Sequence, residues 1–259
     1  MKEDISTNEK STEEMVHKAK LRGEVVNPSE FSGQDATWRI FRIMAEFVDG
    51  YEFLSKLSAD ETVFGSARLR EGTQYYEEAR KLGHMLAASG FSVVTGGGPG
   101  IMEAANRGAY ECGGESIGLN IQLPFEQRIN EYVRHGLGFH FFFTRKVMLT
   151  SPSQAFVGMP GGFGTMDEVF EVLTLIQTQK MPKVPMILIG KDFWGKLNEF
   201  IEEQMRDELE TISPEDMDLY HIVDTAEEAM EILKKTITPD GSQHDYMSPD
   251  ADVCRTNIQ

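Results

Sequence analysis

Cysteine is scarce in this chain of 259 residues, and its two cysteines, Cys112 and Cys254, lie far apart in the sequence. A disulfide framework or a thiolate zinc site needs cysteines that are paired or closely spaced, so neither is indicated. Six histidines are scattered along the chain without any spacing that is typical of a metal site. We therefore expect no bound metal, and no feature of the sequence requires a cofactor.

Positive charge is also in short supply. The chain has 25 Lys and Arg residues against 42 Asp and Glu residues, which gives a formal net charge of −17 at pH 7. A protein that binds nucleic acid usually presents a basic patch to the phosphates, so nucleic acid is not an expected partner. A single phosphate group is still an acceptable ligand, because backbone amides at the start of a helix bind it whatever the net charge.

Long apolar segments are missing as well. No stretch approaches the roughly 18 residues needed to span a bilayer, and the first residues are polar and acidic, unlike a signal peptide. We expect a cytoplasmic protein with no membrane partner. Residues 1–34 and 239–259 have few large apolar side chains, so we predict a mobile polar tail at each end of a single domain formed by residues 35–238.

The central region combines helical and strand patterns. Apolar residues recur every three or four positions over residues 36–57, which predicts an amphipathic helix that covers the sheet or a subunit contact. Short β-rich segments then alternate with helical ones, which predicts an α/β fold with a doubly wound, mostly parallel sheet of about seven strands and helices on both faces. The predicted strands are 62–65, 91–95, 116–121, 138–142, 154–157, 184–189 and 220–223, and the predicted helices are 73–88, 101–110, 145–149, 166–178, 193–208 and 226–235.

Two glycine-rich segments follow predicted strands, where ligands bind in open α/β sheets. Residues 96–100 read GGGPG, and residues 160–165 read PGGFGT and lead into a helix, which favours phosphate binding. No lysine follows the second segment as in a phosphate-binding Walker A loop, and the first lacks the third glycine of a dinucleotide fingerprint. Neither an ATPase nor an NAD-dependent oxidoreductase is favoured. The alternative is that both segments are tight turns that use glycine only for positive φ.

Two charged residues lie near these segments. Glu168 follows Thr165 by three positions, so both side chains share one helix face, but the same spacing is a capping box. The residues alone leave catalysis and capping equally open. Arg145 and Lys146 follow the aromatic run 139–143, which we interpret as a buried strand with core phenylalanines. A cation there would bind phosphate or a ribose hydroxyl, and the alternative is a surface arginine at a helix start.

Residues 160–168, PGGFGTMDE, match the P-G-G-x-G-T-x-x-E signature of the Lonely Guy (LOG) family. The Arg145-Lys146 pair is similar to that family's R-K pair. Residues 96–102 resemble its first glycine loop, and residues 63–68 resemble its opening strand and the loop that follows.

The resemblance implies a Rossmann-like fold, a homodimer or larger homo-oligomer, and a phosphoribohydrolase that acts on a nucleoside 5′-monophosphate. AMP or an N6-substituted AMP, such as a cytokinin riboside monophosphate, is the implied substrate. It implies Arg145 and Glu168 as the catalytic pair. Members have also been labelled lysine decarboxylases, but the sequence does not indicate a pyridoxal-binding lysine. The phosphate-binding residues implied are Gly161, Gly162, Gly164 and Thr165, and the further substrate-binding residues are Gly65, Ser66, Arg68, Gly97, Gly98, Lys146 and Met159.

Cleavage of a ribosyl C–N bond builds positive charge on the sugar, which a fixed carboxylate such as Glu168 stabilises. The sequence leaves open whether Glu168 acts as charge stabiliser, base or nucleophile. It also leaves open which base is preferred, because Phe142-Phe143-Thr144 stands where many family members have Met or His. The alternative function is a non-catalytic nucleotide or molybdenum-cofactor carrier, since relatives with the same sheet include such carriers.

Overall fold

The computed structural model describes residues 33–57, 60–122, 129–151 and 153–236. The strands are β1 Asp60–Phe64, β2 Ser92–Thr95, β3 Ser116–Ile121, β4 His135–Phe139, β5 Ser153–Gly158, β6 Met186–Ile189 and β7 His221–Val223. The α-helices are α1 Gly33–Leu54, α2 Gln74–Ala88, α3 Ile101–Glu111, α4 Phe142–Thr150, α5 Phe163–Gln177, α6 Lys191–Phe200 and α7 Ala226–Thr236. A π-helical segment, Ile201–Glu208, continues α6, and a 3₁₀ helix, Pro214–Leu219, precedes β7. The two predicted tails lie outside the described residues, except that α1 begins at Gly33.

All seven strands pair in parallel, in the order β4-β3-β2-β1-β5-β6-β7. The chain fills one half of the sheet from β1 outward to β4 and then returns to place β5 on the other side of β1. The strand order therefore reverses between β1 and β5, and in such sheets ligands bind beyond the carboxyl ends of the strands at this point. The predicted doubly wound α/β fold is confirmed.

The sheet is buried on both faces. Successive side chains of a strand point to opposite faces, and in β1 Val63 belongs to one core cluster while Phe64 belongs to the other. Helices α2, α3 and α7 contribute the first cluster, and α4, α5 and α6 contribute the second. Strands β1, β2, β5, β6 and β7 contribute to both hydrophobic layers, as expected for a parallel sheet covered by helices, whereas β3 and β4 contribute only to the second.

Helix α1 confirms the helix predicted over residues 36–57 and covers the sheet through α4. Leu54 lies in the core, and a Cβ on Gly50 would clash with the side chain of Met148 in α4. The Glu46 carboxylate accepts hydrogen bonds from the backbone of His140 and Phe141 at the entry to α4. No helix within the described ranges is long and apolar enough to cross a membrane.

The aromatic run is not a buried strand, and the predicted strand 138–142 and helix 145–149 are both displaced. Strand β4 ends at Phe139, and α4 begins at Phe142. Phe142 and Phe143 lie in the first turn of α4 and are 57% and 45% exposed, so they are not core residues. The reason is tertiary, because Glu46, almost a hundred residues earlier in the chain, binds the turn before the helix. A carboxylate at a helix N-terminus also stabilises the helix dipole.

Candidate active site

The loops that follow β1, β2 and β5 are joined by backbone hydrogen bonds at the point where the strand order reverses. Met159 N donates to Phe64 O at 2.8 Å, Ser66 N donates to Pro160 O at 3.1 Å, and Ile101 N donates to Ser66 O at 2.9 Å. Gly100 has a φ of 72°, and a Cβ there would clash with Ser66 O. The first glycine-rich segment can therefore approach the β1 loop only because residue 100 is glycine.

The second glycine-rich segment forms the N-terminus of α5. A Cβ on Gly161 would clash with the Thr165 side chain, so this glycine is needed for packing. Gly162 and Gly164 differ, because neither has a positive φ and a Cβ built on either one would meet no atom of the described residues within 4 Å, apart from its chain neighbours and the adjacent helix backbone. The tight-turn interpretation therefore does not explain them. Open space above backbone amides at a helix start is what an anion requires.

Arg145 and Glu168 meet beside this segment, with Arg145 Nη1 3.4 Å from Glu168 Oε1. Arg145 is buried, and its Nε donates to Leu119 O at 2.7 Å. Its guanidinium lies on Gly96, where a Cβ would clash with Nη2. The first glycine-rich segment thus provides the close approach that fixes the cation, and the second begins the helix that carries the carboxylate.

Burial raises the pKa of Glu168 to about 7, and the opposing effect of Arg145 is smaller. Burial also lowers the pKa of Arg145, while Glu168 opposes that shift. This carboxyl group changes protonation near neutral pH and lies next to a fixed cation, on the helix whose N-terminal glycines leave open space. Such a combination is typical of a functional site.

Glu168 does not form a capping box. Helix α5 begins at Phe163 with Gly162 as its N-cap, so Thr165 is already the third residue of the helix. A capping box would need the N-cap at Thr165. The Glu168 side chain is directed to Arg145 instead, so the capping alternative that the sequence left open is wrong.

Lys146 has a different environment from Arg145. Its Nζ lies 2.9 Å from Asp167 Oδ1 and 3.1 Å from Glu171 Oε2. Burial works to lower the pKa of Lys146, but the two carboxylates outweigh it and the pKa is raised. This lysine joins α4 to α5 as a protonated amine, so it is poorly suited to form a Schiff base with pyridoxal phosphate.

The other predicted substrate-binding residues are divided between the loops and the core. Gly65 and Ser66 lie in the β1 loop, and the Arg68 backbone donates to Ser66 Oγ at 3.1 Å while its side chain is exposed. The Met159 side chain is fully buried in the core. It faces the layer of α2, α3 and α7, so only its backbone lies at the loop.

Three asparagines that the sequence analysis missed hold the first glycine-rich segment. Asn106 is fully buried in α3 and accepts hydrogen bonds from Thr95 Oγ1 at 2.6 Å and from Asn130 Nδ2 at 3.0 Å. Asn130 Nδ2 also donates to Gly98 O at 3.0 Å, and Asn120 Nδ2 donates to Gly96 O at 3.3 Å. Asn106 lies on the buried face of α3, which otherwise consists of isoleucine, alanine and glycine, and this was the only signal available in the sequence.

The sequence of the chain matches a family model described as "Possible lysine decarboxylase" over residues 102–233. That match includes Arg145, Glu168 and the second glycine-rich segment. A cytokinin riboside 5′-monophosphate phosphoribohydrolase of Rhodococcoides fascians is 33% identical over 146 residues, which cover 54% of this chain and 73% of that protein. The chain belongs to the Lonely Guy (LOG) family.

Other LOG relatives come from plants. A probable cytokinin riboside 5′-monophosphate phosphoribohydrolase of Oryza sativa subsp. japonica is 29% identical over 177 residues, covering 68% of this chain and 83% of the relative. A cytokinin riboside 5′-monophosphate phosphoribohydrolase of Arabidopsis thaliana is 28% identical, covering 67% and 80%. The predicted family membership is confirmed.

Solved structures share the fold of this LOG protein at lower identity. The molybdenum cofactor binding protein of Rippkaea orientalis is 24% identical with a TM-score of 0.53, covering 70% of this chain and 98% of that one. The molybdenum cofactor carrier protein of Chlamydomonas reinhardtii is 21% identical with a TM-score of 0.52, covering 69% and 98%. At these identities the likeness shows the fold alone.

Proposed function

We propose that this chain hydrolyses the N-glycosidic bond of a nucleoside 5′-monophosphate and releases the free base and ribose 5-phosphate. The names of the relatives make AMP and N6-substituted AMP the first substrates to test. The observation that carries the proposal is the buried pair of Arg145 and Glu168 beside glycines that leave open space at the start of α5.

Phosphate binding is the first step. The backbone amides of residues 162–164 lie at the positive end of the α5 dipole, which favours an anion despite the net charge of −17. Glu168 is four to six residues further along the same helix, about 6–9 Å along its axis. That spacing leaves room for a ribose between the bound phosphate and the carboxylate.

Cleavage of the C1′–N bond is the second step. The electron pair of this bond leaves with the base, which takes up a proton, and water adds to C1′. Positive charge builds on the ribose before water attacks, and the ionised Glu168 carboxylate stabilises it. Arg145 favours the ionised form of Glu168 against the larger effect of burial, and it orients the sugar; burial of both side chains strengthens their interaction.

A carrier of a nucleotide or of the molybdenum cofactor is the alternative, favoured only by the fold shared with such carriers. A protein that only carries an anionic ligand gains nothing from a carboxylate beside it, because the two negative charges repel. The buried carboxylate of Glu168 therefore favours the enzyme.

A nucleotide panel tests the proposal. The purified chain is incubated with AMP, N6-isopentenyl-AMP, GMP, CMP and UMP, and the free base and ribose 5-phosphate are quantified by chromatography. We expect base release from at least one adenine nucleotide. Adenosine should react about 10- to 100-fold more slowly or not at all, because it lacks the charged group that the α5 amides bind.

A matched pair of variants separates chemistry from folding in this assay. Glu168→Gln should lose turnover while still binding nucleotide, whereas Glu171→Gln, one turn further along α5, should retain most of the activity. A folded wild-type protein that releases no base from any nucleotide would contradict the proposal. Molybdenum that co-purifies with such an inactive protein would support the carrier.

A further inference from the structure

Helices α4 and α5 start side by side at the carboxyl end of the sheet. Both follow strands of one parallel sheet and contribute to the same core layer, so they run in the same direction. Arg145 of α4 meets Glu168 of α5, with Nη1 3.4 Å from Oε1. Lys146 joins the helices again, with its Nζ 2.9 Å from Asp167 Oδ1. The two helix starts therefore flank the space beyond the pair of Arg145 and Glu168.

Phe142, the first residue of α4, lies on the helix face that borders this space. It precedes Arg145 by three residues and Lys146 by four, so it shares a face with both cations. Cα–Cβ bonds tilt toward the N-terminus of a helix, so its side chain projects beyond the start of α4. The side chain is 57% exposed, and no ring or cation stacks on it among the residues that the structure describes.

Phe143, the next residue, has different surroundings. It is 45% exposed, but it is rotated by about 100° round the helix axis from Phe142. Its ring centroid lies 5.5 Å from that of Phe141, and Arg39 of α1 lies over the Phe141 ring, with Cζ 5.6 Å from the centroid. Phe143 therefore belongs to the contact between α4 and α1, whereas Phe142 faces the side of α5.

The dimensions of this region fit a nucleotide that lies across the two helix starts. Phe142 is about 4.5 Å from Arg145 along the axis of α4, at three residues' rise. The axes of packed helices are about 8–10 Å apart, which is the scale of a ribose with a group on either side. A phosphate at the start of α5 and a ribose next to Glu168 thus leave the base at the start of α4.

We propose that Phe142 binds the base of the nucleotide by stacking against its flat face. This inference rests on the proposed function, from which it takes the positions of the phosphate and the ribose. Every base has a π face on which an aromatic side chain stacks, and a purine offers a larger face than a pyrimidine. Phe142 therefore favours purine nucleotides, and it leaves the edge of the base, including N6 of adenine, free to carry a substituent.

Phe142→Ala tests the proposal, with Phe143→Ala as the matched control from the same helical turn. For AMP we expect Phe142→Ala to raise KM about tenfold with kcat much less affected, because base stacking typically contributes that much to binding. Phe142→Tyr keeps the ring and should restore the wild-type KM, and Phe143→Ala should stay close to it. Equal KM values for AMP in Phe142→Ala and Phe143→Ala would overturn the proposal.

Ribose 5-phosphate distinguishes stacking from a general disturbance of the site, because it has the sugar and the phosphate but no base. Its inhibition constant should be the same in Phe142→Ala and in the wild type. An inhibition constant that rises as much as the KM for AMP would also overturn the proposal, because Phe142 would then act by shaping the start of α4. Circular dichroism establishes that the variants are folded.

Calorimetric binding of AMP separates this inference from the proposed function. It compares Glu168→Gln with the double variant Glu168→Gln and Phe142→Ala, so that no turnover is needed. A dissociation constant about tenfold higher in the double variant would support stacking even if the wild type cleaved no nucleotide. Equal constants, or no binding of AMP to Glu168→Gln, would overturn stacking even if the wild type cleaved AMP.

Discussion

Glu61 and Glu168 are both buried glutamates, but only one of them faces a cation. Glu61 is fully buried in β1, and neither of its carboxyl oxygens has a hydrogen-bond partner among the described residues. Glu61 lies two residues before Val63 in the strand, so both side chains point to the same face of the sheet. Glu61 therefore faces the core layer of α2, α3 and α7. Glu168 lies in α5 with Arg145 Nη1 at 3.4 Å and keeps 16% of its side chain exposed.

Burial raises the pKa of both carboxyl groups, so a raised pKa by itself does not identify a functional residue. The difference lies in what surrounds each one. Glu168 is partly exposed and follows two glycines with open Cβ positions at the start of α5, whereas Glu61 is enclosed near the amino end of β1 beside Asp60. Burial raises the pKa of Asp60 to about 7 against the effect of a hydrogen bond from Ser92. We interpret Glu168 as a functional residue and Glu61 as a residue that lowers the free energy of unfolding.

The largest effect is expected from Glu168→Gln, which removes the charge but keeps the shape of the side chain. We expect kcat for base release to fall by about 100-fold or more, because preorganised charges at a reacting centre typically contribute that much. Thermal unfolding should change little. A decrease of only a few-fold would remove Glu168 from the chemistry and leave the two glutamates functionally alike.

Arg145→Gln should have the next largest effect, about a 10- to 100-fold loss of kcat/KM, because a buried charged partner is lost. Since Glu168 must be ionised to stabilise positive charge, the wild-type rate should fall as the pH decreases through about 7. Without Arg145 the pKa of Glu168 rises further, so this fall should begin at a higher pH.

The measurement is a pH profile of kcat/KM. The variant Arg145→Lys keeps the charge, so its profile should resemble that of the wild type more closely. An unshifted profile in Arg145→Gln would contradict the coupling.

Glu61→Leu should change stability and leave activity unaltered. Unfolded Glu61 ionises at its ordinary pKa, while the folded protein holds the proton to a higher pH. The folded state therefore binds more protons, and the free energy of unfolding falls as the pH rises from the ordinary pKa towards the folded-state pKa. We expect Glu61→Leu to raise the free energy of unfolding by about 1–3 kcal/mol at pH 8 and by less at pH 5.

Urea denaturation at both pH values measures this change. The pH dependence should become smaller but should not vanish, because Asp60 shifts in the same direction. Identical pH dependence in Glu61→Leu and in the wild type would show that Glu61 is not a source of it.

The smallest effect is expected from Gly162→Ala, beside Glu168. Residue 162 has a φ of −95° and open space around its Cβ, so alanine fits the protein. The added methyl group would occupy the space proposed for the phosphate at the start of α5. We expect KM to rise about tenfold with kcat less affected, because substrate binding is weakened and the chemical step is not. Gly195→Ala in α6 is the control, since a Cβ there also meets no described atom within 4 Å outside the adjacent backbone of its own helix. Equal KM values in the two variants would argue against phosphate binding at residue 162.

The sequence predicted the pairing of Arg145 with Glu168 only through the family signature. Residue spacing alone left Glu168 equally suited to catalysis and to a capping box, because the spacing Thr-x-x-Glu is compatible with either role. The structure separates the two by placing the N-cap at Gly162. The roles of Asn106 and Asn130 could not be predicted, because the two are 24 residues apart and meet only when α3 and the segment after β3 pack together.

The alternation of short, apolar-rich strands with amphipathic helices determined the parallel sheet, since strands buried on both faces are rich in apolar residues. The glycine-rich segments likewise predicted the end of the sheet at which a ligand would bind, and the acidic composition argued against nucleic acid as that ligand. Only tertiary structure decided where α4 begins and which of the buried glutamates meets a cation. Each of these depends on contacts between residues distant in sequence, such as Glu46 with His140, and local propensity contains no information about them.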